Sequence, residues 1–291
     1  MDIMIPMGVK DFYIVQKNIA NVNKFFDYET IYLVANKNTF PFFKKSFLSK
    51  NRVVLVDENS MVPGLSFDSV KQAIDKKNLD DPYYGWYFQQ FLKIAFARTQ
   101  CAKEDYLIWD ADTIPLRHID FKQNGLYLFN LKPEYHVPYF DCIRKILGLE
   151  KVVKGSFITE HIVVNTAIMN EMLDKIESAG GTIFFEAIIN SLEKSVKCGF
   201  SEYETYGTYI FSKYPQKVKE RKLATFRHAG KLYSRGVSKK ELAYLGTRFD
   251  TASFEAGHHP RNFHVVQDIM FRLKSKIFMA RYALRLKRLS R

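Results

Sequence analysis

Three short apolar runs, separated by segments of helical length, fill the first 56 residues and constrain the fold more than any other feature. Residues 3–6 (IMIP), 30–35 (TIYLVA) and 52–56 (RVVLV) read as strands. Residues 12–26 and 39–48 read as helices, the first capped by Asp11 and the second carrying Pro41 in its first turn. Strands that alternate with helices in this way argue for parallel β/α units with helices on both faces of the sheet. Ligands of such sheets bind beyond the carboxyl ends of the strands. Pro6, Asp11 and Asp57 stand at those ends and are candidates for holding a nucleotide, although turn chemistry accounts for them as well.

The densest chemistry lies at residues 105–116 (DYLIWDADTIPL). An apolar run from Tyr106 to Trp109 stops abruptly at Asp110, Ala111 and Asp112. If the chain turns there, both carboxylates converge beyond the sheet edge, where a hard cation can bridge them to a diphosphate. Read without that context, a D-x-D is often a solvated turn. The preceding residues 79–84 (LDDPYY) form a polar break, and residues 85–98 form a helix with a wide apolar side. Gln89 and Lys93 lie four apart on that helix and are placed to aim at a diphosphate.

Further on, residues 125–131 read as a strand, 135–139 (YHVPY) as a proline-containing loop, and 167–176 and 183–192 as helices. Residues 157–165 are apolar except for a few polar positions, of which His161 and Asn165 are candidates for contacting an acceptor. In the segment CGFSEYETYG, Ser201 followed by Glu204 is a capping-box pattern. Glu202 then sits in a first helical turn, where a fixed carboxylate can accept a proton as general base; Glu202 ranks just ahead of Glu204. His228 is a candidate metal ligand, with His258 and His259 competing for the role; a lone histidine is more often structural.

The formal charge of +13 is unevenly spread, because residues 261–291 hold nine Lys or Arg against the single acid Asp268. From Phe263 the pattern is one long helix with two apolar stripes, separated by cations. Val266, Ile269, Met270, Leu273, Ile277, Ala280 and Leu284 make one stripe; Phe271, Phe278, Tyr282 and Leu289 make the other. One stripe can pack on the protein while the second, flanked by cations, fits an anionic membrane surface; an oligomer contact or nucleic-acid binding is the alternative. The expected organisation is therefore a domain over residues 1–260 and a basic amphipathic docking helix over 261–291. Three dispersed cysteines suggest a reducing compartment, and no secretory signal or membrane-spanning run is visible. A cytoplasmic protein, peripheral on the inner face of the cell membrane, is the expectation.

Taken in order, I-x-I-P, the β/α units, G-W-Y-x-Q-Q-x-x-K, W-D-A-D-T and S-E-Y-E-x-Y-G resemble bacterial GT-A fold glycosyltransferases of surface-polysaccharide (lipopolysaccharide or capsule) assembly, over roughly residues 1–230. The resemblance implies an α/β fold with a Rossmann-like nucleotide-binding sheet. It also implies Mn²⁺ or Mg²⁺ held by Asp110 and Asp112 and bound to the diphosphate of a sugar nucleotide, a UDP-sugar being favoured, with His228 completing the metal site. The implied acceptor is a glycan or lipid-linked glycan, and the basic tail is similar to the membrane-docking helices of such enzymes. Glu202 and Glu204 depart from the usual adjacent Glu-Asp pair, so stereochemistry is open. D-A-D-T also resembles the aspartyl-phosphate loop of haloacid-dehalogenase-like phosphotransferases, with Asp110 as nucleophile. That loop normally follows the first strand, whereas three β/α units come first here. A basic nucleic-acid-binding protein is the non-enzyme alternative, and no RNA-binding or helix-turn-helix signature supports it.

Overall fold

The computed structural model describes residues 1–80, 83–260 and 264–289. Asp81 and Pro82 of the polar break, the boundary expected at residue 261 and the helix start expected at Phe263 lie outside the described residues.

The fold is α/β, as the alternating runs required. Strand β1 (Asp2–Met7) leads through α1 (Phe12–Phe25) to β2 (Ile31–Ala35), and α2 (Lys45–Lys50) precedes β3 (Val53–Asp57). Helices α3 (Phe67–Lys77) and α4 (Tyr84–Ala95) come before β4 (Asp105–Trp109) and the short strands β5 (Thr113–Pro115) and β6 (Lys122–Gln123). Then follow β7 (Leu126–Asn130), α5 (Val137–Leu147), β8 (His161–Asn165), α6 (Thr166–Gly180), α7 (Phe184–Ser191) and α8 (Glu202–Lys213). The chain closes with β9 (Val218–Arg221), β10 (Thr225–Phe226), α9 (Gly230–Tyr233), α10 (Lys239–Leu245), β11 (Thr251–Ser253) and α11 (Val265–Leu289).

The main sheet has the order β3-β2-β1-β4-β8, and β1 runs parallel to β4 with Asp2, Ile3 and Met4 opposite Tyr106, Leu107 and Ile108. Every residue of β1 and β8 is buried, so the apolar cores of these strands are covered on both faces. Edge strand β3 is half-exposed. Two three-stranded sheets accompany it, β10-β11-β5 and β6-β7-β9.

The chain forms two compact units. One comprises Met1–Met4, Asp57–Ile108 and Asp120–Lys222; the other comprises Ile5–Val56, Trp109–Ile119 and Leu223–Arg291. In the second, Ile14, Ile114, Leu116, Val237, Leu242, Leu245, Ala252 and Phe254 form a buried cluster. Helix α11 is grouped with this second unit.

Several local expectations are corrected. β1 extends one residue past the expected 3–6 to Met7; the pairs it makes with β4 end at Met4, so the missing N–H of Pro6 interrupts none of them. Residues 39–48 are not one helix. Pro41 lies inside a 3₁₀ turn, Lys37–Phe42, and Phe43 is extended before α2 begins. Residues 135–139 are not simply a loop: α5 starts at Val137, and Pro138 occupies its first turn, where proline needs no N–H partner. Asp11 does not cap α1 with its side chain, for a reason that belongs to the site.

Candidate active site

Asp110 and Asp112 flank a tight turn between β4 and β5, in the second unit. The backbone of that turn is held from several sides. The fully buried Asn18 of α1 donates its side-chain amide to the carbonyls of Asp110 at 2.9 Å and Ala111 at 3.1 Å. Its own Oδ1 accepts from the indole of Trp109 at 3.1 Å, and that indole also donates to the Thr113 carbonyl at 2.6 Å. From β11, Phe254 N–H donates to the Asp112 carbonyl at 2.9 Å, and the hydroxyls of Thr113 and Ser253 meet at 2.9 Å. A turn with its carbonyls satisfied this way fixes where its two carboxylates leave the backbone.

The electrostatics are unusual for a turn. Burial pushes the Asp112 carboxyl well above its ordinary value, and the nearby carboxylates of Asp11 and Asp110 push it further, with Arg235 opposing them. Arg235 is engaged by Asp11 at 2.5 Å, both groups being nearly fully buried. That ion pair is why Asp11 is not a helix cap. Lys17 donates to the carbonyls of Arg235 at 3.3 Å and Val237 at 2.7 Å, which anchors the guanidinium's segment. Asp110 and Asp112, with the Asp11 and Arg235 ion pair beside them, make a region of hard oxygen donors with excess negative charge, and that chemistry suits a divalent cation such as Mg²⁺ or Mn²⁺. Among the described residues, no three His, Cys, Asp or Glu side chains are gathered into a complete cation cage.

His228 and His258, expected as rivals, are partners instead. Nδ1 of His228 lies 3.4 Å from Nε2 of His258, and Glu255 is 3.6 Å from the same His258 nitrogen. The glycine at 230 permits this, since a Cβ there would stand 2.8 Å from the His258 Cβ. His259 is exposed and lies 3.4 Å from Asp268. Asn18, Arg235 and Glu255 are residues that the sequence reading missed. Asn18 did leave a signal, being a polar residue within the buried stripe Ile14, Val15, Ile19 and Val22. Arg235 left none, because its partner lies 224 positions away.

The first unit holds the other candidates. Lys93 is buried on α4, where its ammonium donates to Glu202 Oε1 at 2.6 Å and lies 3.3 Å from the Tyr203 hydroxyl. Gln90, one position past the predicted Gln89, accepts the Glu202 N–H at 3.0 Å, while Gln89 is half-buried. The capping box is only half made. Ser201 accepts from the Glu204 N–H at 3.3 Å, whereas the Glu204 carboxylate turns to the Ser156 hydroxyl, and burial raises its pKa.

His161 is buried in β8, near Arg221 at 3.4 Å, and desolvation drives its pKa well below the ordinary value. Asn165 caps α6 through Ile168 N–H at 3.1 Å and donates to Asp105 at 3.1 Å and Tyr127 at 3.0 Å. Asp57 makes ordinary turn contacts with Asn59 N–H and the Ser60 hydroxyl, both at 3.4 Å.

The sequence profile of a family of unknown function, DUF6492, matches residues 11–269. The chain belongs to that family. No curated protein matches this DUF6492 chain by sequence. Solved structures similar to it include mouse xyloside xylosyltransferase 1, at 10% identity, covering 90% of this chain and 97% of that one with a TM-score of 0.46. The galactosyltransferase LgtC is similar at 9% identity, with 95% of each chain covered and a TM-score of 0.42. The glycosyltransferase GlyE of Streptococcus pneumoniae is similar at 9% identity, with 96% of this chain and 63% of that one covered and a TM-score of 0.46. Likenesses this loose assign no role to any residue of this chain.

Asn18→Ala removes both amide donors and the indole's acceptor at once, leaving buried carbonyls unsatisfied. The DUF6492 chain carrying it is expected to lose about 1–3 kcal/mol. A lower urea midpoint with an unchanged slope would register the loss.

Proposed function

We propose that this protein is a metal-dependent glycosyltransferase that moves a sugar from a nucleotide-diphosphate sugar, a UDP-sugar being favoured, to a glycan or lipid-linked glycan in surface-polysaccharide assembly. The observation that carries the reading is the pinned D-A-D turn, which sets two carboxylates beside Asp11 at the carboxyl end of a buried parallel strand. A bound Mn²⁺ or Mg²⁺ would be held by Asp110 and Asp112 and would supply positive charge to the departing diphosphate. Asp11 and Arg235 form a buried ion pair beside those acids. His228 and His258 form a polar pair on the same unit, suited to contact the donor's phosphates or the ion. In the first unit, Glu202 is the carboxylate we assign to accept the proton of the acceptor hydroxyl; its Oε1 is paired with Lys93 at 2.6 Å.

The test is a thermal-shift series with UDP-, GDP- and CMP-sugars, each with Mn²⁺ and with EDTA. A ligand that binds only the native form raises its melting temperature. A UDP-sugar is expected to stabilise the protein in Mn²⁺ and to lose that effect in EDTA. Absence of a shift with every nucleotide sugar would overturn the reading.

Membrane association belongs to the same proposal. The rings of Phe271 and Phe278 face inward: Phe278 stacks on Phe12 at 4.1 Å, and Phe271 meets Tyr13 edge-on at 6.4 Å. The other stripe, Val266, Ile269, Met270, Leu273, Ile277 and Leu284, is 52–70% exposed among Arg and Lys side chains. That arrangement suits the surface of an anionic bilayer, and no described helix is long and apolar enough to cross one. Changing Met270, Leu273 and Ile277 together to Ser should weaken binding to phosphatidylglycerol vesicles by about tenfold or more in a sedimentation assay. Undiminished vesicle binding alongside loss of oligonucleotide binding would favour a nucleic-acid surface instead.

A further inference from the structure

The head of α5 carries a cluster of rings that its fold does not require. Tyr135 is 64% exposed, yet its ring is not loose: it stacks on the buried Phe140 with centroids 5.2 Å apart and planes at 22°. One face of Tyr135 is thus covered and the ring is held flat at the surface. His136 and Tyr139 meet edge-on at 4.4 Å, and Val137 beside them is half exposed. The Lys151 ammonium lies over these rings, 4.4 Å from the Phe140 centroid and 5.5 Å from that of Tyr135, while also donating to the Gly155 carbonyl. Exposed rings usually stand singly; here they are grouped, oriented and edged by donors.

The inward side of the same helix turn faces chemistry. Helix α5 packs on α8, and α4 packs on α8 as well, so the helices bearing Tyr139, Lys93 and Glu202 belong to one cluster of the first unit. Tyr139 is half-buried on this helix, and Glu202 opens α8. The segment therefore runs from the exposed ring of Tyr135 to Tyr139 within about one helical turn, on a helix packed against the one that Glu202 opens.

We infer that residues 135–139 form the subsite for the acceptor sugar, with a pyranose ring stacked on Tyr135 and its hydroxyls met by His136 and Lys151 on the side that leads through Tyr139 towards Glu202. A pyranose suits this surface because it has a flat face of C–H groups and a rim of hydroxyls, matching a flat ring with donors at its edge. The assignment as acceptor subsite rests on the transferase reading above; the sugar site itself does not.

Saturation-transfer difference NMR on the full-length protein, with methyl glycosides of glucose, galactose, mannose and N-acetylglucosamine as probes, tests it. At least one glycoside is expected to be saturated through its ring C–H protons. Tyr135→Ala should weaken that binding by about fivefold or more while Tyr135→Trp retains it, because the stack and not the hydroxyl carries the contact. Failure of all four glycosides to bind would overturn the inference, as would equal binding by Tyr135→Ala. So would saturation by uridine monophosphate displaced from the same ring, which would make the patch a base-stacking site. Hydrolysis of a UDP-sugar by the unmodified protein, measured without acceptor, reports on the transferase reading separately. Sugar binding that depends on Tyr135 in a protein without any such hydrolysis would leave a saccharide-binding site and remove the transferase.

Discussion

Asp112→Asn should cut sugar transfer by about two to three orders of magnitude and, at the same time, make the metal-free protein more stable at pH 8. In the proposed reaction Asp112 would be a charged ligand of the cation that stabilises the leaving diphosphate, and losing such a contact costs about 10²–10³ in rate. The second follows from the burial of Asp112 and the nearby negative charge of Asp11 and Asp110, which Arg235 only partly offsets. The folded protein holds the Asp112 proton more tightly than an unfolded chain, whose carboxyl titrates near the ordinary value of 3.8. Above that pH the folded state binds more protons than the unfolded one, so this group's contribution to stability falls as pH rises. The neutral amide is free of that loss. Urea denaturation in EDTA at pH 4 and pH 8 checks it: the stability gap between variant and parent should open between those pH values. A side chain whose removal stabilises the fold while abolishing turnover is retained for its function. Full transfer activity in the variant would remove the central assignment.

Lys93→Met should destabilise the protein by about 3–5 kcal/mol, the largest effect expected of any single substitution here, because it leaves the Glu202 carboxylate buried without its countercharge. Side-chain exposures of 5% and 4% leave little water to compensate either partner. The double variant Lys93→Met, Glu202→Met should recover most of the loss, since replacing both ions by apolar groups also removes their desolvation cost. Urea denaturation of the two single variants and the double variant gives the coupling directly. A single-variant cost under about 1 kcal/mol would mean that water reaches the pair.

Much of the scaffold was legible because parallel strands buried on both faces leave unbroken apolar runs. β1, β2, β3 and β4 stand within a residue or two of where those runs placed them. The start of α5 was not legible, since Tyr-His-Val-Pro-Tyr has the composition of a loop and only packing shows that Pro138 sits where a helix tolerates it. The D-A-D turn was visible because two acids interrupt an apolar run. Its support was not: Asn18 lies 92 positions from Asp110, and the reach of Arg235 to Asp11 has no local trace. The Lys93 and Glu202 pair shows the same limit from another direction. Each was singled out as a polar residue in a suitable place, and each was given a separate duty, because sequence spacing cannot reveal that two charges 109 residues apart neutralise one another. The final helix offered two apolar stripes without saying which was inner, and the aromatic rings of Phe12 and Phe42 decided it.

Phe12 is the residue directly after Asp11, and it is the ring on which Phe278 rests. A shortened protein that ends before the last helix, an obvious choice for crystallisation or for a simpler assay, would strip the cover from Phe12, Tyr13 and Phe42 and loosen the neighbouring acid's hold on Arg235. Whoever trims the tail would also be removing packing that lies one residue from the buried Asp11 and Arg235 pair.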